Sequence, residues 1–303
     1  MSAPTIAPGV WGVVATPFHG PDLEVDHASV AALAAHYERV GARGLTVLGV
    51  FGEAAALTRT ERQEVLRTIV DAVDLPLIVG VTTLSTRPAI DEVTDAQAVA
   101  GERIAGVMLQ LNSGDPATLS RHLQAVADAT GAGIVAQNYP VASGVAVGLD
   151  AEIAALSDVN ALVAIKAEAA PTARRIAALT GRFDVPVFGG LGGIGLLDEL
   201  AAGSAGAMTG FSYPEALVET VAAHHRDGFR AARSALLPYL PLVNFEQQPG
   251  IGLAIRKGCL VARGLIAEGG VRSPSPGLPP ALVAQLHAHI TAIESDRAAT
   301  PPR

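Results

Sequence analysis

Only two of the 303 residues are lysines, Lys166 and Lys257, against nineteen arginines. Lys166 closes an apolar run, ALVAIK (161–166), and Glu168 follows two positions later. A primary amine can do what a guanidinium cannot: in its neutral form it attacks a carbonyl and gives a Schiff base. The protonated imine is an electron sink that acidifies the neighbouring carbon, so a bond there can break or a hydroxyl can leave. Lys166 is therefore the candidate nucleophile.

A Schiff-base enzyme for 2-oxo acids also needs a cradle for the carboxylate. The turn GVFGE (49–53) offers one, because free N–H groups of a glycine-rich turn entering a helix suit an anion. Glu168 shares a face with Lys166 if the strand continues, and it either places the amine or serves as acid and base for a departing hydroxyl. Gln137, in GIVAQNY (133–139), cannot exchange protons at a useful pKa, so its task would be a hydrogen bond to substrate or to a catalytic water. Tyr139 shares the face of Gln137 and is either a phenol for the site or a ring packed at its rim. One motif misleads. Gly190 to Gly195 fits G-x-G-x-x-G, with Glu215 twenty residues beyond its end, which read alone is a dinucleotide fingerprint. His224-His225 and His287-x-His289 lack the carboxylate spacing of a metal site, so neither metal nor cofactor is expected.

These residues need a frame. Short apolar runs alternate with amphipathic stretches: 11–18 then 27–41, 44–50 then 58–73, 76–82 then 86–100, and 104–111 then 115–131. The same rhythm continues with 133–139 and 149–157, 161–166 and 171–181, 185–190 and 194–203, and 205–211 and 214–228. Thr58 and Glu61 match a capping box, and Asp115-Pro116 a helix start. Strands that are apolar throughout require a parallel sheet covered on both faces, and eight such units close a (β/α)₈ barrel. The expected division is a catalytic barrel over 1–228 and a helical extension packed on it over 229–303, with three helices, a break at 273–280 and a frayed AATPPR end. In a barrel of this kind chemistry sits at the C-terminal strand ends, and Lys166 ends the sixth strand.

Bulk properties narrow the partners. Half the residues are apolar, 17% are charged, and the formal net charge is -8, which argues against nucleic acid and anionic membrane surfaces. A single cysteine, Cys259, excludes an internal disulfide. There is no signal-peptide pattern and no apolar run of membrane-spanning length, so a soluble, cytoplasmic protein is expected.

The set GVVATPF, GVFGEAAALTRTER, QNYPVASGV, AIKAE, FGGLGG and GAMTGF resembles the dihydrodipicolinate synthase and N-acetylneuraminate lyase superfamily of class I aldolases, from residue 9 to about 290. The resemblance implies a (β/α)₈ barrel, a homo-oligomer (tetramer or dimer), and a lysine after strand 6 that forms the imine with a 2-oxo acid. Departures matter as much. Val50 and Phe51 stand where the family carries two hydroxyl residues, Gln137 where it carries a proton-shuttling tyrosine, and Ala142 where dihydrodipicolinate synthase has an arginine for its aldehyde substrate. Synthesis of dihydrodipicolinate is therefore not expected. Phe-x-Glu after strand 2, Pro-x-x-Ser-Gly after strand 5 and Lys-x-Glu after strand 6 look more like the branch of 2-keto-3-deoxy-pentonate dehydratases, L-2-keto-3-deoxyarabonate dehydratase among them.

The expectation is a lyase with Lys166 as imine nucleophile and Glu168 and Gln137 at the reacting centre. Phe51, Gly52, Glu53, Asn138, Tyr139, Ser143 and Gly190 would bind substrate. Dehydration of a 2-keto-3-deoxy sugar acid is the leading reaction, and aldol cleavage to pyruvate and an aldehyde the alternative. An NAD(P)-dependent oxidoreductase and a non-catalytic 2-oxo acid binding protein stand behind them.

Overall fold

The computed structural model describes residues 5–299. Eight parallel strands follow one another round a barrel: β1 Gly9–Val13, β2 Gly44–Val47, β3 Leu77–Gly80, β4 Ile104–Gln110, β5 Ile134–Asn138, β6 Leu162–Ala167, β7 Val187–Phe188 and β8 Gly206–Thr209. Gly9 pairs with Gly206 where β1 meets β8, and a bridge from Gly189 to Ala207 joins β7 to β8. The ring closes. It is the (β/α)₈ barrel expected from the alternation.

Eight helices cover the strands in sequence order: α1 His27–Arg39, α2 Arg59–Ala72, α3 Thr86–Ala100, α4 Pro116–Thr130, α5 Leu149–Ser157, α6 Thr172–Thr180, α7 Leu196–Ala201 and α8 Pro214–Asp227. Their starts are written in the sequence. Thr58 and Glu61 form a reciprocal capping box, and the Asp115 carboxylate accepts from the Thr118 N–H at 2.8 Å. Each cap satisfies N–H groups that a helix start leaves open, at about 1 kcal/mol per cap.

Large side chains fill the barrel interior. Trp11, Ile78, Met108, Val135, Ala164, Phe188 and Met208 form one buried cluster. Trp11 fits because Gly44 has no side chain, since a Cβ there would lie 2.2 Å from the Trp11 ring. A second, larger cluster lies between the barrel and its helices. With the interior packed shut, a ligand can enter only at the mouth.

Two expectations need correction. The seventh strand covers only Val187–Phe188, because Gly189 and Gly190 turn the chain into the next loop. The C-terminal region holds four helices rather than three: α9 Phe229–Leu236, α10 Leu240–Glu246, α11 Gly252–Ala262 and α12 Val283–Ala299. Pro238, Pro241 and the pair Pro249-Gly250 divide what reads as one amphipathic run, since proline lacks the N–H that continues a helix. The break at 273–280 falls in irregular chain before α12, and residues 300–303 of the expected frayed end lie outside the described residues. No helix among the described residues is long and apolar enough to cross a membrane.

Candidate active site

Strand alternation decides which side chains face the mouth. Ala164 belongs to the interior cluster, so Lys166, two residues on, faces inward at the top of β6, and Glu168 follows on the same side. The Lys166 Nζ lies 3.2 Å from Glu168 Oε2, with both side chains more than nine-tenths buried. Gln137, paired with Lys166 across β5 and β6, donates through Nε2 to the same Glu168 oxygen at 2.7 Å. The Leu191 N–H donates to Glu168 Oε1 at 3.1 Å. One carboxylate thus collects an amine, an amide and a backbone donor, which fixes its position.

Gly190 makes room for this arrangement. A Cβ at that position would lie 2.0 Å from Glu168 Oε1, so any side chain would expel the carboxylate. Leu191 adopts φ +48, a conformation rare for a branched side chain, and this turns its N–H onto Glu168. The Gly192 N–H goes to Thr209 Oγ1 at 2.8 Å. These donors are the ones a pyrophosphate would need from a G-x-G-x-x-G turn, and the α7 helix that follows has only six residues. Glu215, the acidic residue of that misleading motif, is paired with Arg263 at 2.5 Å. The fingerprint is a loop of the barrel mouth.

The remaining candidates divide. Tyr139 sits half-buried beside this group, and its phenol is pushed up by burial and by the Glu168 carboxylate, against a smaller opposing effect of Arg256. It therefore holds its proton at neutral pH. Phe51, in the turn Val50–Gly52 after β2, lies under the guanidinium of Arg256 at 4.1 Å. The Gly52 carbonyl accepts from Thr16 Oγ1 at 2.6 Å, which ties that turn to the loop after β1. Ser143 spends its hydroxyl on the turn after β5, donating to the Tyr139 carbonyl at 3.2 Å and accepting from the Val145 N–H at 3.2 Å.

Glu53 and Asn138, expected to bind substrate, are turned elsewhere. One Glu53 oxygen pairs with Lys257 and the other accepts from the Arg272 N–H at 2.8 Å, so its carboxylate clamps the C-terminal region to the β2 loop. Asn138 has the opposite parity to Gln137 and points into the helix layer, where its amide donates to Glu152 Oε2 at 2.8 Å. Glu152 is fully buried and also paired with Arg175. Both departures follow from geometry that a residue list does not carry: Glu53 sits at φ +51, and strand pleating sends neighbours to opposite faces.

Sequence reasoning missed Arg256. It comes from α11, is 2% exposed, and donates through Nε to Glu246 Oε2 at 2.8 Å. Gln247, with its amide oriented to satisfy both ends, accepts from Arg256 Nη2 and donates to the Leu191 carbonyl, each at 3.3 Å. Leu191 therefore links Glu168 on one side to Arg256 on the other. The sequence signal was Arg256-Lys257, a charged pair inside an apolar helix; such a pair must be buried against partners from elsewhere.

Over residues 7–275 the chain matches the family model described as the dihydrodipicolinate synthetase family. The chain belongs to that family. Among relatives, it is 29% identical over 297 residues to the L-2-keto-3-deoxyarabonate dehydratase of Azospirillum brasilense, covering 92% of each chain. It is 32% identical over 220 residues to a probable mitochondrial 4-hydroxy-2-oxoglutarate aldolase of Emericella nidulans, covering 68% of this chain and 69% of the relative. A solved dihydrodipicolinate synthase of Rhodopseudomonas palustris superposes with a TM-score of 0.87 at 27% identity, covering 94% of this chain and 97% of the other. Val50 and Phe51 lie in the loop after β2, Gln137 near the end of β5 and Ala142 in the turn that follows it.

Proposed function

We propose that this member of the dihydrodipicolinate synthetase family is a lyase that forms an imine between Lys166 Nζ and the carbonyl carbon of a 2-oxo acid. The observation that carries the reading is the inward, buried Lys166 held 3.2 Å from a carboxylate that is itself fixed by Gln137 and Leu191. Attack of the amine on C2 and loss of the carbonyl oxygen as water give a protonated imine, whose remaining N–H can stay bonded to Glu168. The iminium draws electrons from C3, so a base removes a C3 proton and leaves an enamine. The enamine then expels the C4 hydroxyl, which takes up a proton and departs as water. Hydrolysis of the unsaturated imine returns Lys166.

Dehydration of a 2-keto-3-deoxy sugar acid is the preferred reaction. It is supported by the similarity to L-2-keto-3-deoxyarabonate dehydratase along 92% of both chains, and by Gln137 in place of a tyrosine at the end of β5. Glu168 is the group we assign to proton transfer, since its oxygens lie at the amine and accept from three donors, none of them an arginine. Aldol cleavage of a 4-hydroxy-2-oxo acid to pyruvate and an aldehyde is the second reading, favoured by the likeness to the aldolase relative.

Borohydride reduction in the presence of pyruvate, followed by peptide mapping, is expected to place the adduct on Lys166. No adduct with any 2-oxo acid would defeat the imine reading. Incubation with a 2-keto-3-deoxy acid is then expected to consume substrate without releasing pyruvate; pyruvate release would replace dehydratase by aldolase.

A further inference from the structure

Arg256 has one N–H edge that the protein does not use. Its Nε serves Glu246 at 2.8 Å, its Nη2 serves Gln247 at 3.3 Å, and the face of the guanidinium lies on the Phe51 ring at 4.1 Å. Nη1 is buried and has no hydrogen-bond partner among the described residues. Its direction can be read from a glycine. Met208 belongs to the barrel interior, so Gly210, two residues on, faces the same way at the top of β8. A Cβ on Gly210 would lie 3.0 Å from Arg256 Nη1. The guanidinium therefore fills the inward space that this glycine leaves open, much as the Glu168 carboxylate fills the space left by Gly190.

A buried arginine donor with no acceptor is costly, and a structural staple to Glu246 needs only the other edges. Stacking on Phe51 keeps the in-plane N–H groups free and excludes water from one face. Lys166 faces Glu168 and Arg256 faces Glu246, whose second oxygen takes the Ser212 hydroxyl, so each cation is matched once before substrate arrives.

We propose that Arg256 Nη1 is a further receptor for a carboxylate of the substrate, beside the turn after β2 whose Phe51 carries the guanidinium. The inference rests on the 2-oxo acid reading and adds to it a residue from α11, outside the barrel strands and their loops. It makes substrate recognition depend on the C-terminal helices.

Borohydride trapping with pyruvate, with 2-oxoglutarate and with acetone, which has no carboxylate, tests this directly. In Arg256→Gln the half-saturating pyruvate concentration is expected to rise about tenfold to a hundredfold, as for loss of a charge-assisted hydrogen bond, with acetone trapping unchanged. A rise for 2-oxoglutarate alone would assign Arg256 to a distal carboxylate. No shift for either acid, or an equal shift for acetone, would overturn the proposal. Because Arg256→Gln leaves Glu246 buried and unpaired, the double variant Arg256→Gln/Glu246→Gln is measured beside it and is expected to show the same loss in a folded protein. Calorimetric titration of pyruvate into the wild type and into Lys166→Ala separates the two proposals. Arg256-dependent binding without any trapping would sink the imine reading and keep this one, whereas no binding in either protein would sink this one.

Discussion

The two lysines of this chain are both buried and both paired with a glutamate, yet their surroundings have opposite meanings. Lys257, in α11, is fully buried, with its Nζ on Glu53, on the Gly270 carbonyl at 2.8 Å, and over the Phe18 ring at 4.2 Å. An ammonium has three donors, and here two are fixed by oxygens while the ring covers it. Burial lowers the Lys257 pKa, opposed by Glu53. Lys166 has one anionic neighbour, 3.2 Å away, and faces the mouth of the barrel. Under the proposed function, a nucleophile is marked by amine donors left open beside an entrance. Burial alone, even burial that lowers a pKa, marks a structural lysine equally well.

Substitution separates them most sharply. Lys166→Ala is expected to abolish borohydride-dependent adduct formation and to lower turnover by at least about three orders of magnitude, as for loss of a covalent nucleophile. Its melting temperature should fall less than that of Lys257→Met, because Glu168 keeps the Gln137 and Leu191 donors. Lys257→Met should do the reverse, keeping the adduct on Lys166 while losing about 3–5 kcal/mol of stability, because Glu53 is left as an unpaired buried charge. Urea unfolding of Lys257→Met against Lys257→Met/Glu53→Gln reads that term, and the double variant should recover most of it. An adduct on Lys257, or equal destabilisation by both lysine substitutions, would erase the distinction.

Glu168 and Glu53 extend the contrast to the carboxylates. In Glu168→Gln, trapping by pyruvate should persist while steady-state turnover falls about a hundredfold or more, the range for loss of a general acid or base. A variant that loses trapping and turnover together would make Glu168 a positioning residue for the amine.

How far the sequence led differs between these same regions. The barrel was legible because apolar runs, caps and breaks repeat eight times, and each repeat carries its own local signal, such as the capping box of Thr58 and Glu61. Lys166 stood out in the sequence because its chemistry differs from that of every arginine around it. The orientations of Glu53 and Asn138 were not legible, because they depend on one backbone angle and one step of strand parity. Arg256 was invisible, since its meaning arises only when Gly210, Phe51 and Gln247, brought in from three other elements, surround it.

A third buried carboxylate gives the smallest and most specific effect. Glu199, on α7, is 1% exposed and sits against Gly189 and Gly195, where a Cβ would lie 1.8 Å and 2.7 Å from its oxygens. Burial pushes its pKa up to about 7, the Thr172 hydroxyl opposes this, and the charges of Glu168 and Asp198 add to it. The unfolded value is 4.5, so between pH 4.5 and about 7 the native state holds more protons than the unfolded chain. Stability from this group is therefore complete below pH 4.5, falls as pH rises to about 7, and is level beyond, a loss of about 3 kcal/mol. Urea midpoints across that window should fall more steeply in the parent than in Glu199→Gln, whose amide stays neutral throughout. In Glu168→Gln the decline should end at a lower pH, because one of the repelling charges has gone. Parallel curves for parent and Glu199→Gln would show that Glu199 is already ionised in the fold. The loop holding Leu191 against Glu168 would then rest on a charged carboxylate, unlike the neutral one required here.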